Sequence, residues 1–350
     1  MHAGEPSPSP QEPPRCLCLC CAELREAAGV GLGVWAGRES RPESTTVPLG
    51  SMGSGSRIIH IFLAACALTL LGTTASCDRN EAAPYVILEI DSLTLAPDPA
   101  RGTSSAHIRS VWVESEGKNI GVFPLPAKIP LPLSNPASKV RIYPGVEVNG
   151  ISSFQAIYEF YKPYERDLNS SFGSTVKWPP MGPAVLEYET WSKVVIVEDF
   201  ESAGIQLAPS QRSDTVWTLT SAERFNPPLG ESNSASGMII LRPGQQIFEA
   251  ITQEGYILPR GGQNVYLEFN YKSTMPFSMG VVANQPGQTT QQSTVTFRDK
   301  SLWAKAYVNL VTEVSGFPSA IDYNLFVGAV RTRPDKADTL WLDNLKLVYR

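Results

Sequence analysis

The chain has 350 residues, a formal net charge of −5, 18% charged residues, six Cys and three His. Its mild acidic balance, with no block of Lys and Arg, excludes a protein held on nucleic acid by phosphate contacts, which need clustered positive charge. With 29 Pro and 27 Gly the chain is punctuated too often for long helices; 42% hydrophobic residues suffice for packed cores, and the length suits two domains.

Residues 1–51 are rich in Pro, Ser, Gly and Glu and show no sustained periodicity, so they read as a disordered leader or a mis-assigned start that ends before Met52. Cys16, Cys18, Cys20 and Cys21 lack the second, well-separated pair that zinc spacings need. Residues 52–76 read as a signal peptide: Arg57 supplies a positive charge, and Ile58 to Leu71 form a mostly apolar run interrupted by His60. That run is shorter than the roughly 20 apolar residues of a membrane span. Thr73-Thr74-Ala75-Ser76 then leads into Cys77, after which no Cys follows. The segment resembles the lipobox of bacterial lipoprotein signals, with Ala75 and Ser76 at the small positions and Thr74 departing from the usual aliphatic residue. The resemblance implies lipid attachment at Cys77, whose acyl chains would anchor the protein by about 0.8 kcal/mol per buried CH2. The alternative is ordinary secretion with Cys77 left as a free thiol. Residues 77–84 read as a polar tether, and the acidic residues after Cys77 look like the surface-export signals of Bacteroidetes-type lipoproteins. The expected location is therefore the bacterial outer membrane or cell surface, with the membrane contacted through the lipid.

Residues 85–192 read as a small β-sandwich of the immunoglobulin-like or transthyretin-like kind, without a Cys pair. Tyr85–Ile90 is β-rich, and Val111–Glu114 and Ile120–Phe123 flank a Gly-containing hairpin loop. Pro124, Pro126, Pro130 and Pro132 make Leu125 to Leu133 an extended edge or a crossing segment rather than a central strand. Lys139–Tyr143 alternates as a half-buried strand should, Pro144-Gly145 predicts a turn, and Phe154–Tyr161 and Ala184–Tyr188 complete six or seven strands.

Residues 194–350 contain eight or so strand signals and no helical period, which describes a jelly-roll sandwich. They begin at Val194–Val197 and resume, after a Ser/Asn/Pro/Gly-rich region, at Gly237–Leu241, Val265–Lys272, Phe277–Ala283, Ser293–Arg298, Ala304–Leu310, Asn324–Thr332 and Thr339–Tyr349. Alternation places Val265, Leu267, Phe269 and Tyr271 on one face. Val197-Glu198-Asp199-Phe200-Glu201, Trp303 to Leu310 and Thr339 to Leu347 resemble the galactose-binding-like jelly roll used by many carbohydrate-binding modules. The whole chain is therefore expected to be all-β, a β-sandwich followed by a jelly roll.

Little in the sequence suggests catalysis, and no enzymatic role is expected. Only His107 would remain in a mature protein, so Ser-His-Asp and Cys-His mechanisms have little to draw on. No phosphate-cradling loop, dinucleotide fingerprint or nucleophile elbow is present. The resemblance implies a structural Ca2+ bridging the first and last strands, with Glu198, Asp199 or Glu201 near Asp343 and Asp199, Glu201 and Asp343 as the ligands; the other reading is that these acids mark strand ends or are satisfied by Lys and Arg neighbours. Trp217, Tyr256 and Trp303 are the candidates for stacking on a sugar, with Trp217 foremost because it lies in a polar, irregular stretch; Tyr307 and Trp341 belong to the core or its edge. Two partners follow as expectations: a glycan bound by the jelly roll, or another envelope protein docked on apolar surface around Phe123 and Leu125.

Overall fold

The computed structural model describes residues 84–133 and 137–350; the leader, the signal segment and Cys77 lie outside the described residues. All described strands fall into two sandwiches, divided between Leu186 and Lys193.

The first sandwich contains β1 (Tyr85–Ile90), β2 (Leu93–Leu95), β3 (Ser110–Ser115), β4 (Lys118–Pro124), β5 (Ala127–Pro132), β6 (Ala137–Glu147), β7 (Gln155–Ile157), β8 (Tyr164–Asn169), β9 (Thr175–Lys177) and β10 (Ala184–Leu186). β3 and β4 form the expected hairpin, turning through Glu116 and Gly117, both at positive φ, as a two-residue hairpin turn matched to strand twist requires. The proline-rich β5 is an edge, paired only with β1, and its alternation buries Ala127, Ile129 and Leu131 while Pro130 and Pro132 face out. An edge position tolerates their missing N–H groups. At Pro144-Gly145 the chain does not turn: β6 runs on to Glu147, pairing Pro144 with Val111 and Gly145 with Ser110. Gly145 is instead needed for close approach, since a Cβ there would come within 2.2 Å of the Trp112 ring. The stretch from Phe154 to Tyr161 is also not one strand. Only Gln155–Ile157 pairs with β6, and beyond it a turn buries Tyr158, Phe160 and Tyr161.

The second sandwich contains β11 (Lys193–Glu198), β12 (Leu207–Pro209), β13 (Thr218–Thr220), β14 (Ser236–Leu241), β15 (Ile247–Thr252), β16 (Val265–Ser273), β17 (Phe277–Gln285), β18 (Gln288–Phe297), β19 (Lys300–Asn309), β20 (Asp322–Val330) and β21 (Asp338–Tyr349). One sheet has the order β13-β14-β21-β16-β19, with β11 also paired to β21; the other has the order β12-β15-β20-β17-β18. First and last strands of the jelly roll therefore lie side by side, antiparallel from Lys193↔Tyr349 onward. Val265, Leu267, Phe269 and Tyr271 enter the core between the sheets, against Phe248, Phe277, Phe297 and Leu325. A short helix, α1 (Val311–Gly316), follows β19. At six residues it is too short to show a helical period in sequence.

The two sandwiches belong to one compact unit, Asn80–Arg350. Tyr266, Tyr307 and Val348 of the jelly roll are part of the first sandwich's hydrophobic cluster. Val148 bridges Tyr307, the Asn149 N–H donates to the Tyr307 carbonyl at 2.8 Å, and Asn309 N–H donates to Asn149 Oδ1 at 2.9 Å. By strict alternation Tyr266, Glu268 and Asn270 of β16 belong on the outer face of the jelly roll. All three are nonetheless buried, because this face is covered.

Candidate functional site

Four things cover the outer face of the β13-β14-β21-β16-β19 sheet: the segment 101–107 after β2, the aromatic turn 158–161, Tyr188, and the loop between β13 and β14. The centre is Glu268, fully buried, with Tyr158 Oη donating to it at 2.5 Å and Tyr188 Oη at 3.2 Å. Lys305 Nζ lies 2.9 Å and Lys346 Nζ 3.8 Å from Glu268 Oε2. Lys346 also donates to the carbonyls of Thr103 at 3.0 Å and Arg101 at 3.3 Å, in the segment after β2. Burial raises the carboxyl's proton affinity, but Lys305 and Lys346 outweigh it and hold Glu268 below the ordinary range. Burial, against the pull of Glu268, lowers Lys346 to about 8. One buried carboxylate thus faces two buried ammonium groups.

Beside this network lies a cleft of about 460 Å3 bounded by both sandwiches. Trp303 and Lys305 project into it from β19, Asn270 from β16, Phe225 from the β13–β14 loop, and His107 from the first sandwich. Trp303 is half-buried, set edge-on to Phe225 with centroids 5.6 Å apart, and its neighbour Leu302 is 78% exposed. Phe225 is pinned at both backbone atoms: its N–H donates to Ser236 Oγ at 2.8 Å and its carbonyl accepts from Asn233 Nδ2 at 2.9 Å. Asn270 is 1% exposed; its Nδ2 donates to Ser105 Oγ at 2.9 Å, while its Oδ1 has no hydrogen-bond partner among the described residues. Among those residues the Lys305 ammonium has its ion pair but no aligned hydrogen bond. Burial, followed by the charge of Arg109, lowers His107 below its usual value, which favours the neutral ring. The cleft therefore combines a partly open indole, a buried acceptor lacking a donor, and a buried cation with capacity to donate. A buried polar atom without a partner carries a desolvation cost of about 1–3 kcal/mol, which a ligand hydroxyl at Asn270 Oδ1 would relieve.

The three aromatic candidates do not form one platform. Trp217 is corrected to a core residue: it is 7% exposed and wedged between Phe200 (5.6 Å) and Phe248 (5.0 Å), offering a ligand no face. Its polar neighbours in sequence conceal this: Trp217, just before β13, is buried, while nearby Asp214 caps the β15 end by accepting from the Gln246 and Ile247 N–H groups. Tyr256 is half-buried, pairs its backbone with Tyr323 and lines a different cleft with Glu198 and Glu254. Trp303 alone stands in a cleft with unpaired polar groups. The apolar patch expected around Phe123 and Leu125 is not formed, since both side chains are half-buried and pack against the first sandwich's core.

Asp199 and Glu201 line another cleft, of about 350 Å3, beside Asn344 and Lys346. Their neighbour Asp343 is fully buried and accepts from Asn233 Nδ2 at 2.8 Å, from the Asn344 N–H at 2.7 Å and from Ser236 Oγ. Glu201 accepts from the Ser234 N–H and hydroxyl and from the Ala235 N–H; Asp199 caps the Glu201 N–H. Glu198 accepts from the N–H groups of Phe200 and Gln206. Ca2+ needs six to eight oxygens free of competing donors. Here N–H and O–H groups already point at the carboxylates, and among the described residues no three His, Cys, Asp or Glu side chains are gathered for a metal. The acids as placed do not fit a calcium cage.

No family model matches the chain, and no curated protein does. Among solved structures it is similar to the N-terminal CBM22-1 and GH10 modules of an endo-1,4-beta-D-xylanase from Clostridium thermocellum complexed with xylohexaose. That match has 16% identity, covers 45% of this chain and 28% of that one, and has a TM-score of 0.34. It is also similar to the family 11 carbohydrate-binding module of a cellulosomal cellulase of Clostridium thermocellum, at 10% identity over 45% and 95% of the two chains with a TM-score of 0.30. A family 29 carbohydrate-binding module complexed with mannohexaose matches at 10% identity over 45% and 92%, with a TM-score of 0.28.

Proposed function

We propose that the protein binds glycans, holding a sugar over Trp303 in the cleft between its two sandwiches. The observation that carries this reading is the pairing of a partly open indole with the partnerless Oδ1 of buried Asn270 in one cavity. A sugar offers what the two lack: an apolar C–H face for the ring and an O–H donor for the amide oxygen. Binding rather than hydrolysis is the reading because glycoside cleavage needs two carboxyl groups at the scissile bond, and no Asp or Glu is among the described residues lining this cleft. The signal-like segment before Cys77 supports the further reading that the protein is exported and lipid-anchored, with the sandwiches presented at the outer membrane or cell surface.

The test is affinity electrophoresis of the full chain through gels holding soluble polysaccharides, with Trp303→Ala beside it. Loss of an anchoring aromatic is expected to weaken retention at least about tenfold. The melting temperature should stay close to that of the parent, because Trp303 lies outside the core between the sheets. Unchanged retention of the variant on a bound polysaccharide would overturn the assignment to this cleft.

A further inference from the structure

Charge in the Trp303 cleft is one-sided. Lys300 and Lys305 both border it, and none of its described lining residues is Asp or Glu, in a protein whose formal net charge is −5. Lys300 is exposed at the rim, and its charge acts on His107 together with those of Arg109 and Glu147. Lys305 sits at the floor with a side chain 2% exposed. Among the described residues its carboxylate partner is Glu268, which it shares with Lys346; Lys346 also feels the charge of Glu231. Buried cations want a matching anion, and a low-dielectric floor makes that preference stronger than it would be in water. Binding proteins for uncharged sugars have no need of such a floor.

We infer that the ligand is an anionic glycan, carrying a carboxylate or sulfate that meets Lys305 and Lys300 while a neighbouring hydroxyl donates to Asn270 Oδ1 and the ring lies against Trp303. The inference rests on the glycan-binding reading and narrows it to a substrate class. An indole at one side and two ammonium groups at another fix both the face and the charged edge of one sugar unit. Because the cleft also takes residues from the first sandwich, His107 among them, the site is composite.

Matched pairs of polymers test this on the full chain: polygalacturonate against its methyl ester, alginate against its carboxyl-reduced form, and dextran sulfate against dextran. Binding at least about tenfold tighter to the charged member of a pair, declining as salt is raised, is the expected result, and the pair that shows it identifies the substituent. Lys300→Gln, at an exposed position that leaves folding intact, should reduce the preference several-fold. Trp303→Ala should reduce binding to the charged polymer. Equal binding to both members of every pair overturns the anionic class and leaves glycan binding standing. Binding to none of the six overturns both. A charge preference that survives Trp303→Ala and Lys300→Gln undiminished places it elsewhere on the surface and also overturns the inference.

Discussion

Asp343 shows how one buried side chain sets a pH dependence. Burial pushes its carboxyl up to about 7, against the hydrogen bonds from Ser236, Asn233 and Asn344 that favour the charged form. A carboxyl whose folded pKa lies above its unfolded value of 3.8 makes its full contribution to stability in acid and loses it as pH rises to about 7. Asp343→Asn removes the titration but keeps one acceptor oxygen where Asp343 offers two, Oδ1 to the Asn344 N–H and Oδ2 to the Asn233 amide and the Ser236 hydroxyl. Whatever its absolute stability, the variant's stability should therefore no longer decline between pH 4 and pH 7. Urea midpoints across that range measure it. A decline of the same slope in parent and variant would show that Asp343 is not the group responsible. Trp217 and Trp303 make a second point at the same scale: Trp217 sits among polar neighbours in sequence yet is wedged in the core, whereas Trp303, between Leu302 and Ala304, lines a cleft.

At the level of single elements, β17 and β18 carry a strong local constraint. Their register shifts between Met279 and Gly280, and a Cβ on Gly280 would lie 2.2 Å from the Gln292 carbonyl oxygen and 2.6 Å from the Phe326 ring. Gly287, in the turn of the same hairpin, has φ of +79° and no atom within 4 Å of a would-be Cβ. Gly280→Ala must therefore move backbone and is expected to cost about 2–3 kcal/mol. Gly287→Ala meets only conformational strain, about 1 kcal/mol. Denaturant midpoints should rank them in that order, and the reverse order would refute the close-packing account of β17. Strands with clean alternation, such as Val265 to Tyr271, were legible because one face is purely apolar. β15 is not legible although it lies inside its sheet: in Ile-Phe-Glu-Ala-Ile-Thr the buried Glu249 breaks the pattern, and it is tolerated because Arg212 reaches it from a loop and Gln291 from β18. Period two was equally blind to Asn270 and Glu268. It assigned them correctly to the outer face, but nothing local reveals that a second sandwich covers that face, so the polar half of the cleft read as solvated surface while Trp303, a half-buried aromatic, could be singled out.

Over the whole molecule, the decisive feature is that the sandwiches meet through polar groups and not through apolar surface alone. Glu268 receives hydroxyls from Tyr158 and Tyr188 of the first sandwich and ammonium groups from Lys305 and Lys346 of the second, while Lys346 reaches back to Thr103 and Arg101. Such a network contributes little net stability when intact and costs much when one member is removed, because the remaining charges stay buried. Glu268→Gln preserves shape and an acceptor for Tyr158 but strands two cations, so it is expected to destabilise the protein by about 3–5 kcal/mol at pH 7. The sign of the pH dependence follows from Lys346. Its folded value of about 8 lies below the unfolded 10.5, so its contribution is fully present above 10.5 and is lost as pH falls through 8. Without Glu268 the attraction that held this pKa up is gone, the ammonium sheds its proton at lower pH, and the gap between parent and variant should narrow from pH 7 to pH 9. Calorimetry measures both halves of the claim. The parent should unfold in one transition, since the network ties the two cores together, whereas the variant should melt lower and recover part of the difference at pH 9. Two separate transitions in the parent, or a deficit in the variant that is the same at pH 7 and pH 9, would mean that the sandwiches are held together by something other than this charge network.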